Sequence, residues 1–321
     1  MIRRLVDSVG WLLAAGAALG LVAHLVPLRQ NVLVGVGAVS AWLMVFAPLA
    51  LVLFAVRRTW WPSAVAAVLT AVVVVLLAPT YLGDPAGSGP PLTVLTANVR
   101  LGQADPAAVV REARRAGADV LMLQELTPEE RERLGAAGLD DLLPHSAVDA
   151  RRGADGVGLW SRYPLADEQR HAGFVFAAVS ARVLMGDGRP TPTVLTVHMP
   201  GPWPQPADDW LRDIGRLPAL MASVARSADA HGSTVVVGGD LNATYGNAQF
   251  RRLLTGGFRD SAELAGAQWT ATYPADSRFA PPVIGIDHLL VRAARAEHVS
   301  AVRMPGSDHR GLLVHLRLGA G

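Results

Sequence analysis

The sequence contains neither cysteine nor lysine, and both absences narrow what the protein can do. Without cysteine, the 321-residue chain can form no disulfide, no thiolate metal site and no thiol nucleophile. Without lysine, all 29 basic residues are arginines, so a mechanism that uses a lysine amine is excluded. Charge is also scarce, since 17% of the residues are charged and 51% are hydrophobic. The mean hydropathy of +0.29 is too high for an ordinary soluble protein, and the excess lies near the N-terminus.

Three long apolar runs occupy the first 82 residues and predict a membrane anchor with three transmembrane helices. Each run is close to the ~20 residues that a helix needs to cross a bilayer. A cleaved signal peptide is the alternative for the first run, but two more runs follow and no small-residue cleavage pattern separates them. The lipid bilayer is therefore the expected partner of residues 1–82, whose apolar runs cover residues 9–28, 32–56 and 61–82.

The placement of arginines predicts the orientation of this anchor. Arg3 and Arg4 precede the first run, and Arg57 and Arg58 lie between the second and the third. Because positively charged loops are retained in the cytoplasm, the N-terminus and the loop with Arg57 are expected on that side. Three crossings then place everything after residue 82 outside, which predicts a multi-pass protein of the cell membrane with an extracytoplasmic domain.

A short linker precedes a domain of ordinary size. Residues 83–91, G-D-P-A-G-S-G-P-P, have the composition of a linker, and their extended length is roughly 30 Å. In residues 92–321 the predicted strands come in groups, with predicted helices between some of the groups. This order favours two sheets packed face to face with helices outside. Five of the 29 arginines and two of the 27 acidic residues precede residue 92. The domain therefore has 24 arginines and 25 acidic residues, so its charges nearly balance. Because DNA binding relies on basic surfaces, no stable nucleic-acid complex is expected.

The clearest chemical pattern is T-V-V-V-G-G-D-L-N-A-T, residues 234–244. Three valines predict a buried strand, two glycines end it, and Asp240 and Asn242 follow. In an extended segment these two side chains point to the same face, where they could hold and deprotonate a water. The alternative is that both residues form a turn, as Asp and Asn often do. Further polar residues also end predicted strands, which favours a shared site: Asn98, Glu125, His198, Asp287, Asp308 and His309.

Seven short motifs follow one another along the domain: N-V-R, Q-E, G-L-W-S-R-Y-P-L, V-H, G-G-D-L-N-A-T, I-D-H and S-D-H-R. In this order they resemble the endonuclease/exonuclease/phosphatase superfamily, which includes DNase I, abasic-site endonucleases, neutral sphingomyelinases and inositol-polyphosphate 5-phosphatases. The resemblance covers about residues 92–318 and implies an α/β fold of the DNase I type, a four-layer sandwich of two packed mixed β-sheets flanked by helices. The anchor is similar to that of a membrane branch containing a teicoplanin-resistance protein.

The resemblance implies a divalent metal ion, Mg²⁺ or Mn²⁺, as cofactor. Glu125 would hold this ion with Asn98 beside it, and hard oxygen ligands suit both metals. Asp308 would serve a second metal or act as an acid. The ion would polarise a phosphoryl oxygen and neutralise charge during an in-line displacement.

The same resemblance implies the catalytic roles. Asp240 would orient or deprotonate the attacking water, and Asn242 would hold substrate or water. His309 would hydrogen-bond the negative charge that develops on phosphorus, while Asp287 would fix its imidazole and favour the charged form. His198 would be a second donor, to phosphate or to the leaving group.

Three functions stay open on the sequence alone. The first is a membrane-tethered, metal-dependent phosphoesterase acting on a lipid-linked phosphate, pyrophosphate or phosphodiester at the outer face of the membrane. The second is an exported Mg²⁺-dependent nuclease for DNA or RNA. The third is a non-enzymatic membrane sensor, which is least favoured because every expected polar position is filled. The short tether and the balanced domain charge favour the first.

Overall fold

The computed structural model describes residues 2–85, 87–186, 188–230, 233–277 and 280–319, and its N-terminal part is helical. Two helical segments have the length and apolar composition of a membrane span, Arg3–Leu25 and Trp60–Leu77. A third is present if Asn31–Ala38 and Ser40–Val56, bent by 58° at their break, count as one span. The helices are α1 (Ile2–Leu25), α2 (Asn31–Ala38), α3 (Ser40–Met44), α4 (Phe46–Val56), α5 (Trp60–Leu77) and α6 (Pro79–Leu82).

The second apolar run is thus a broken helix rather than a straight one. Val39 separates α2 from α3, and the amides of Trp42 and Leu43 both donate to its carbonyl oxygen, at 3.0 and 3.3 Å. At the opposite end of the bundle, Arg57 Nε lies 3.2 Å from Asp7 Oδ1. The N-terminal turns of α1 and the α4–α5 turn therefore lie together, away from the break at Val39.

In the described part of the chain, the strands of the domain form two six-stranded mixed sheets. The first sheet has the order β11 (Ala294–Arg303), β12 (Arg310–Leu318), β1 (Pro91–Asn98), β2 (Val120–Gln124), β4 (Val157–Ser161) and β3 (His145–Asp149). The second has the order β5 (Leu165–Arg170), β6 (Ala178–Val183), β7 (Thr193–His198), β8 (Val235–Asp240), β10 (Asp287–Arg292) and β9 (Arg259–Asp260).

Helices cover the outer faces of both sheets. The cluster between the sheets includes Val94 of β1 and Val236 of β8. A second cluster joins β2 to the helical layer on the first sheet, and a third packs Trp210 against the second sheet. The four layers of the predicted DNase I-like sandwich are confirmed. The helices of the domain are α7 (Pro106–Ala116), α8 (Pro128–Ala136), α9 (Leu139–Leu142), α10 (Asp208–Asp229), α11 (Ala248–Arg251) and α12 (Ser261–Leu264).

The strand order brings the polar strand ends to one place. Strands β1 and β2 are parallel and end at Asn98 and Gln124, which are partners in the register. Strands β7 and β8 are also parallel and end at His198 and Asp240, again as partners. Antiparallel β10 begins at Asp287, opposite Asp240. Because the two sheets pack face to face, these ends form one site.

The predicted linker lies against the domain. The amide of Asp84 donates to Leu264 O at 2.7 Å, and its carboxylate accepts from Arg259 Nη1 at 2.5 Å and Arg295 Nη1 at 2.6 Å. Residue 86 lies outside the described part. Asp84 therefore contacts the domain directly, and the division of the chain into residues 1–82, 83–91 and 92–321 stays a prediction.

Candidate active site

A group of buried polar side chains lies where the two sheets end side by side. Each is at most 5% exposed, although each can carry a charge or form several hydrogen bonds. Burying such groups is costly unless they are paired, so their mutual contacts define the site. The group consists of Asn98, His198, Asp240, Asp287 and His309.

Asn98 connects carboxylates from the two sheets. Its Nδ2 donates to Asp240 Oδ2 at 3.0 Å and to Glu125 Oε1 at 2.9 Å. Its Oδ1 accepts from the amide of Arg100 at 2.8 Å, which fixes the orientation of the carboxamide. The structure therefore brings Asn98, Glu125 and Asp240 together, as the sequence predicts.

Two imidazoles converge on one oxygen of Asp240. His198 Nε2 and His309 Nε2 each lie 3.6 Å from Asp240 Oδ2, just beyond hydrogen-bond distance. Their other ring nitrogens are occupied, since His309 Nδ1 lies 2.9 Å from Asp287 Oδ2 and His198 Nδ1 lies 3.0 Å from Ala154 O. Both Nε2 atoms are thus directed at the same small space, where a phosphate oxygen could accept from them.

The local backbone explains how Asp240 and Asn242 are placed. Gly239 has φ +146°, and a Cβ built on it would lie 1.9 Å from Val197 O, so only glycine fits there. Asn242 has φ 47°, a left-handed conformation that asparagine tolerates. Its amide donates to Asp240 Oδ1 at 2.9 Å, and its Nδ2 donates to Met199 O at 2.9 Å. The turn is therefore present and is the feature that places Asp240 in the buried group, while the role of Asp240 and Asn242 toward a water stays a prediction.

Glu125 also has a left-handed backbone, with φ 57°. Such a conformation is unfavourable for a glutamate and is common at functional sites. It directs the side chain toward Asn98 and the amide of Leu101, which donates to Glu125 Oε2 at 2.8 Å. The side chain is 18% exposed, so Glu125 is less buried than the five residues of the group above.

The charges of these groups support one another. Burial by itself lowers the pKa of His309, but the carboxylates of Asp287 and Asp240 outweigh it and raise the pKa to about 10. Burial also opposes charging of His198, yet the neighbouring Asp240 and Glu125 raise its pKa above the ordinary value. For Asp240, burial raises the pKa, but the imidazoles of His309 and His198 and the amide of Asn242 together outweigh burial and lower the pKa to about 2. At neutral pH the site therefore combines the ionised carboxylate of Asp240 with the protonated imidazole of His309.

The pH dependence of turnover tests this arrangement. A raised pKa keeps His309 protonated well above the ordinary value of about 6.5, so kcat should fall only as the pH rises toward about 10. In Asp287→Asn a carboxylate that raises this pKa is lost while burial remains, so the alkaline fall should move to lower pH. Measuring kcat against pH for both proteins at saturating metal checks this. An unchanged alkaline limb in Asp287→Asn would contradict it.

The donors present fit a divalent metal ion. The atoms of Asp240, Asp287 and His309 lie within 4.8 Å of one another, and Asp287 Oδ1 is buried without a hydrogen-bond partner among the described residues. However, His309 Nδ1 already pairs with Asp287 Oδ2 at 2.9 Å, and His309 Nε2 lies 3.6 Å from Asp240 Oδ2, so these three side chains are partners of one another. The open carboxylate of Glu125 is the better candidate ligand, while Asn98 turns its Nδ2 rather than its oxygen toward that carboxylate.

Asp308 lies outside this buried group. Its Oδ2 is 3.7 Å from Arg100 Nε, and Arg100 Nη1 is 3.1 Å from Asp276 Oδ2. The structure thus places Asp308 in an ion-pair network at the rim of the cleft. Its predicted role for a second metal, or as an acid, stays a prediction.

Two aromatic residues of the site escaped the sequence analysis. Tyr273 packs on His309 with ring centroids 4.9 Å apart, and Phe176 packs on His198 at 4.7 Å. Both cover an imidazole face and so limit its motion. Neither lies in a motif, and Phe176 falls in residues 174–184, which the sequence predicts as a strand, whereas β6 begins only at Ala178.

The chain matches the model of the endonuclease/exonuclease/phosphatase family over residues 95–309, and it belongs to that family. The family consists of metal-dependent phosphoesterases and nucleases, so the protein is a metal-dependent hydrolase of phosphoric esters. No curated protein sequence matches the chain. The closer likeness to the branch with a teicoplanin-resistance protein therefore stays a prediction.

Solved structures confirm the fold. A humanised TDP2 from D. rerio is 17% identical, with a TM-score of 0.58, over 71% of this chain and 99% of that one. The mannosyl-6-phosphatase Bt3783 from Bacteroides thetaiotaomicron is 14% identical, with a TM-score of 0.55, over 70% and 99%. A family protein from the same organism is 13% identical, with a TM-score of 0.56, over 72% and 99%. In each case about three tenths of this chain is unmatched, which is long enough to contain the apolar helices.

Proposed function

We propose that the protein is a membrane-tethered, divalent-metal-dependent phosphoesterase that hydrolyses a lipid-linked phosphate, pyrophosphate or phosphodiester on the outer face of the membrane. The observation that supports this most is the direct packing of the domain on the apolar helices. Trp42 Nε1 of α3 donates to Val283 O at 2.9 Å, and its ring packs edge-on against Trp269 with centroids 4.5 Å apart. A site held beside the bilayer gains effective concentration for a substrate in the bilayer.

In this proposal Asp240 accepts a proton from the attacking water or orients it toward phosphorus. Its low pKa keeps it ionised, and Asn242 holds the same water or the substrate. His309 donates from Nε2 to the oxygens that gain negative charge, while Asp287 holds its imidazole through Nδ1. His198 is the second donor, toward phosphate or the leaving group. Donors aimed at developing charge are typically the largest contribution to such catalysis.

Glu125, with Asn98 beside it, is the proposed holder of Mg²⁺ or Mn²⁺. When bound, such an ion polarises a phosphoryl oxygen and offsets the charge of the phosphate. The oxygen-rich character of this corner suits both ions. The left-handed backbone of Glu125 serves this purpose, because it turns the carboxylate into the cleft.

The proposed orientation has the N-terminus in the cytoplasm and the domain outside. It is supported by the arginine distribution and by the Arg57–Asp7 ion pair, which lies at the end of the helices away from the domain. A reporter that is active only in the cytoplasm, fused to the C-terminus, should therefore give no signal. The same reporter fused after Arg58 should be active, and strong activity of the C-terminal fusion would contradict the orientation.

An exported nuclease is the alternative, and one observation favours it. TDP2 from D. rerio, which shares the fold at 17% identity, has a structure in complex with a single-strand DNA product. Assays of the purified protein with lipid phosphates and with plasmid DNA separate the two functions.

A further inference from the structure

The break in the second apolar segment exposes main-chain carbonyl groups. In a continuous helix the amide of Trp42 would donate to Ala38 O, four residues earlier. Here it donates to Val39 O at 3.0 Å instead, so Ala38 O faces outward. A carbonyl freed in apolar surroundings needs another donor, because leaving it unpaired is costly.

The donors come from the segment that directly follows Asn242, residues 243–251, which we call the docking loop. Thr244 Oγ1 donates to Ala38 O at 3.0 Å, and Asn247 Nδ2 donates to Val34 O at 3.0 Å. Arg251 extends the contact to the carbonyl oxygen of His24 in the last turn of α1, and Gln249 extends it to that of Leu28, three residues after α1. The docking loop therefore caps both helices with side-chain donors.

Main chains approach closely at this contact. A Cβ built on Gly246 would lie 2.3 Å from Gly37 O and 2.6 Å from Ser40 Oγ. A Cβ built on Gly37 would lie 2.9 Å from Asn247 Nδ2. By contrast, no described atom lies within 4 Å of a Cβ built on Gly35, two residues away on the same helix. The fit is thus confined to the face that meets the docking loop.

The docking loop is in turn connected to Asp240 over a short distance. The amide of Asn242 donates to Asp240 Oδ1 at 2.9 Å. One residue further, Ala243 O accepts from His288 Nε2 at 2.9 Å, and Asn247 Oδ1 accepts from the amide of Thr244 at 2.9 Å. A displacement of the docking loop would therefore move the turn that holds the carboxylate.

We propose that the broken helix α2–α3 positions Asp240 through the docking loop, so that the anchor is part of the active site's support and more than a tether. Thr244 and Asn247 are then positioning residues. The proposal rests on the proposed role of Asp240 in turnover. Small misplacements of a catalytic group are costly, on the order of 10²-fold for 1 Å.

The test compares Gly246→Ala with Gly35→Ala in the full-length protein in detergent. We expect Gly246→Ala to lower kcat on a soluble nitrophenyl phosphodiester about tenfold or more, with KM unchanged, and Gly35→Ala to behave like the wild type. A second pair separates the hydroxyl from packing. Thr244→Val should lower kcat in the same way. Thr244→Ser, which keeps the donor to Ala38 O, should have the kcat of the wild type.

Amide hydrogen exchange provides a readout that does not require turnover. In Gly246→Ala the amides of residues 241–247 should exchange faster, while those of β1 and β2 stay unchanged. Faster exchange with a wild-type kcat would overturn the proposal, and so would unchanged exchange, because the contact would then be absent. A wild-type protein inactive on every phosphoester would instead contradict the proposed function, and the exchange data would still report whether the anchor orders this turn.

Discussion

Asp240→Asn is expected to lower kcat by about 10² or more, the usual effect of losing a general base. The substitution keeps the size and shape of the side chain but removes its charge and most of its basicity. It also removes the carboxylate on which His198 Nε2 and His309 Nε2 converge, at 3.6 Å each. Steady-state turnover of a nitrophenyl phosphoester at saturating Mg²⁺ or Mn²⁺ measures the effect.

Two further variants make this result specific. His309→Ala should cause a loss of similar size, about 10² or more, because it removes a donor to the developing charge. Asp229→Asn is the matched control, since Asp229 forms an exposed ion pair with Arg292 far from the site, and exposed pairs contribute little. It should leave kcat unchanged. Near-normal turnover in Asp240→Asn would show that the G-G-D-L-N turn does not carry the chemistry.

Local signals in the sequence were sufficient for much of the domain. Asp105 before Pro106 predicts a helix over 106–116 with Asp105 as its N-cap, and α7 has these bounds, with Ala107 N donating to Asp105 Oδ1 at 3.0 Å. The sequence T-V-L-T-V-H predicts a strand over 193–198, and β7 has these bounds. Caps and alternating apolar residues depend on neighbours in sequence, so they can be interpreted without the fold. The polar residues at strand ends were also informative, because neighbouring parallel strands bring their carboxyl ends to the same edge of a sheet.

Contacts between distant segments could not be predicted in this way. The strand expected at 174–184 is confined to Ala178–Val183, and edge strands β3 and β5 have polar sequences without a strand pattern. Gln124 gave no sign that its Nε2 would reach Thr196 Oγ1 of the other sheet, at 3.3 Å. These features depend on pairing partners far along the chain.

The apolar helices also have features that the sequence alone does not predict. Hydropathy identifies the apolar run at 32–56 but carries no information on its break at Val39, because every residue around the break is small or apolar. Thr244, which donates to the freed Ala38 O, and Asn247, which donates to Val34 O of α2, lie more than 200 residues away in sequence. A composition rich in glycine and proline predicts a linker at residues 83–91 but carries no information on the pairing of Asp84 with Arg259 and Arg295 of the domain.

The most direct test of the proposed function compares substrates for the full-length protein in lipid vesicles. Vesicles containing a polyprenyl pyrophosphate, phosphatidic acid or phosphatidylglycerol are incubated with the protein and Mg²⁺, and released phosphate or headgroup is measured beside the degradation of plasmid DNA. Asp240→Asn in the same vesicles controls for contaminating activity. We expect at least one lipid phosphate to be hydrolysed faster than the DNA, because Trp42 and Asp84 join the domain to the apolar helices and the proposed function places those helices in the bilayer. Rapid degradation of DNA with no hydrolysis of any lipid phosphate would contradict the proposal and establish the nuclease function instead.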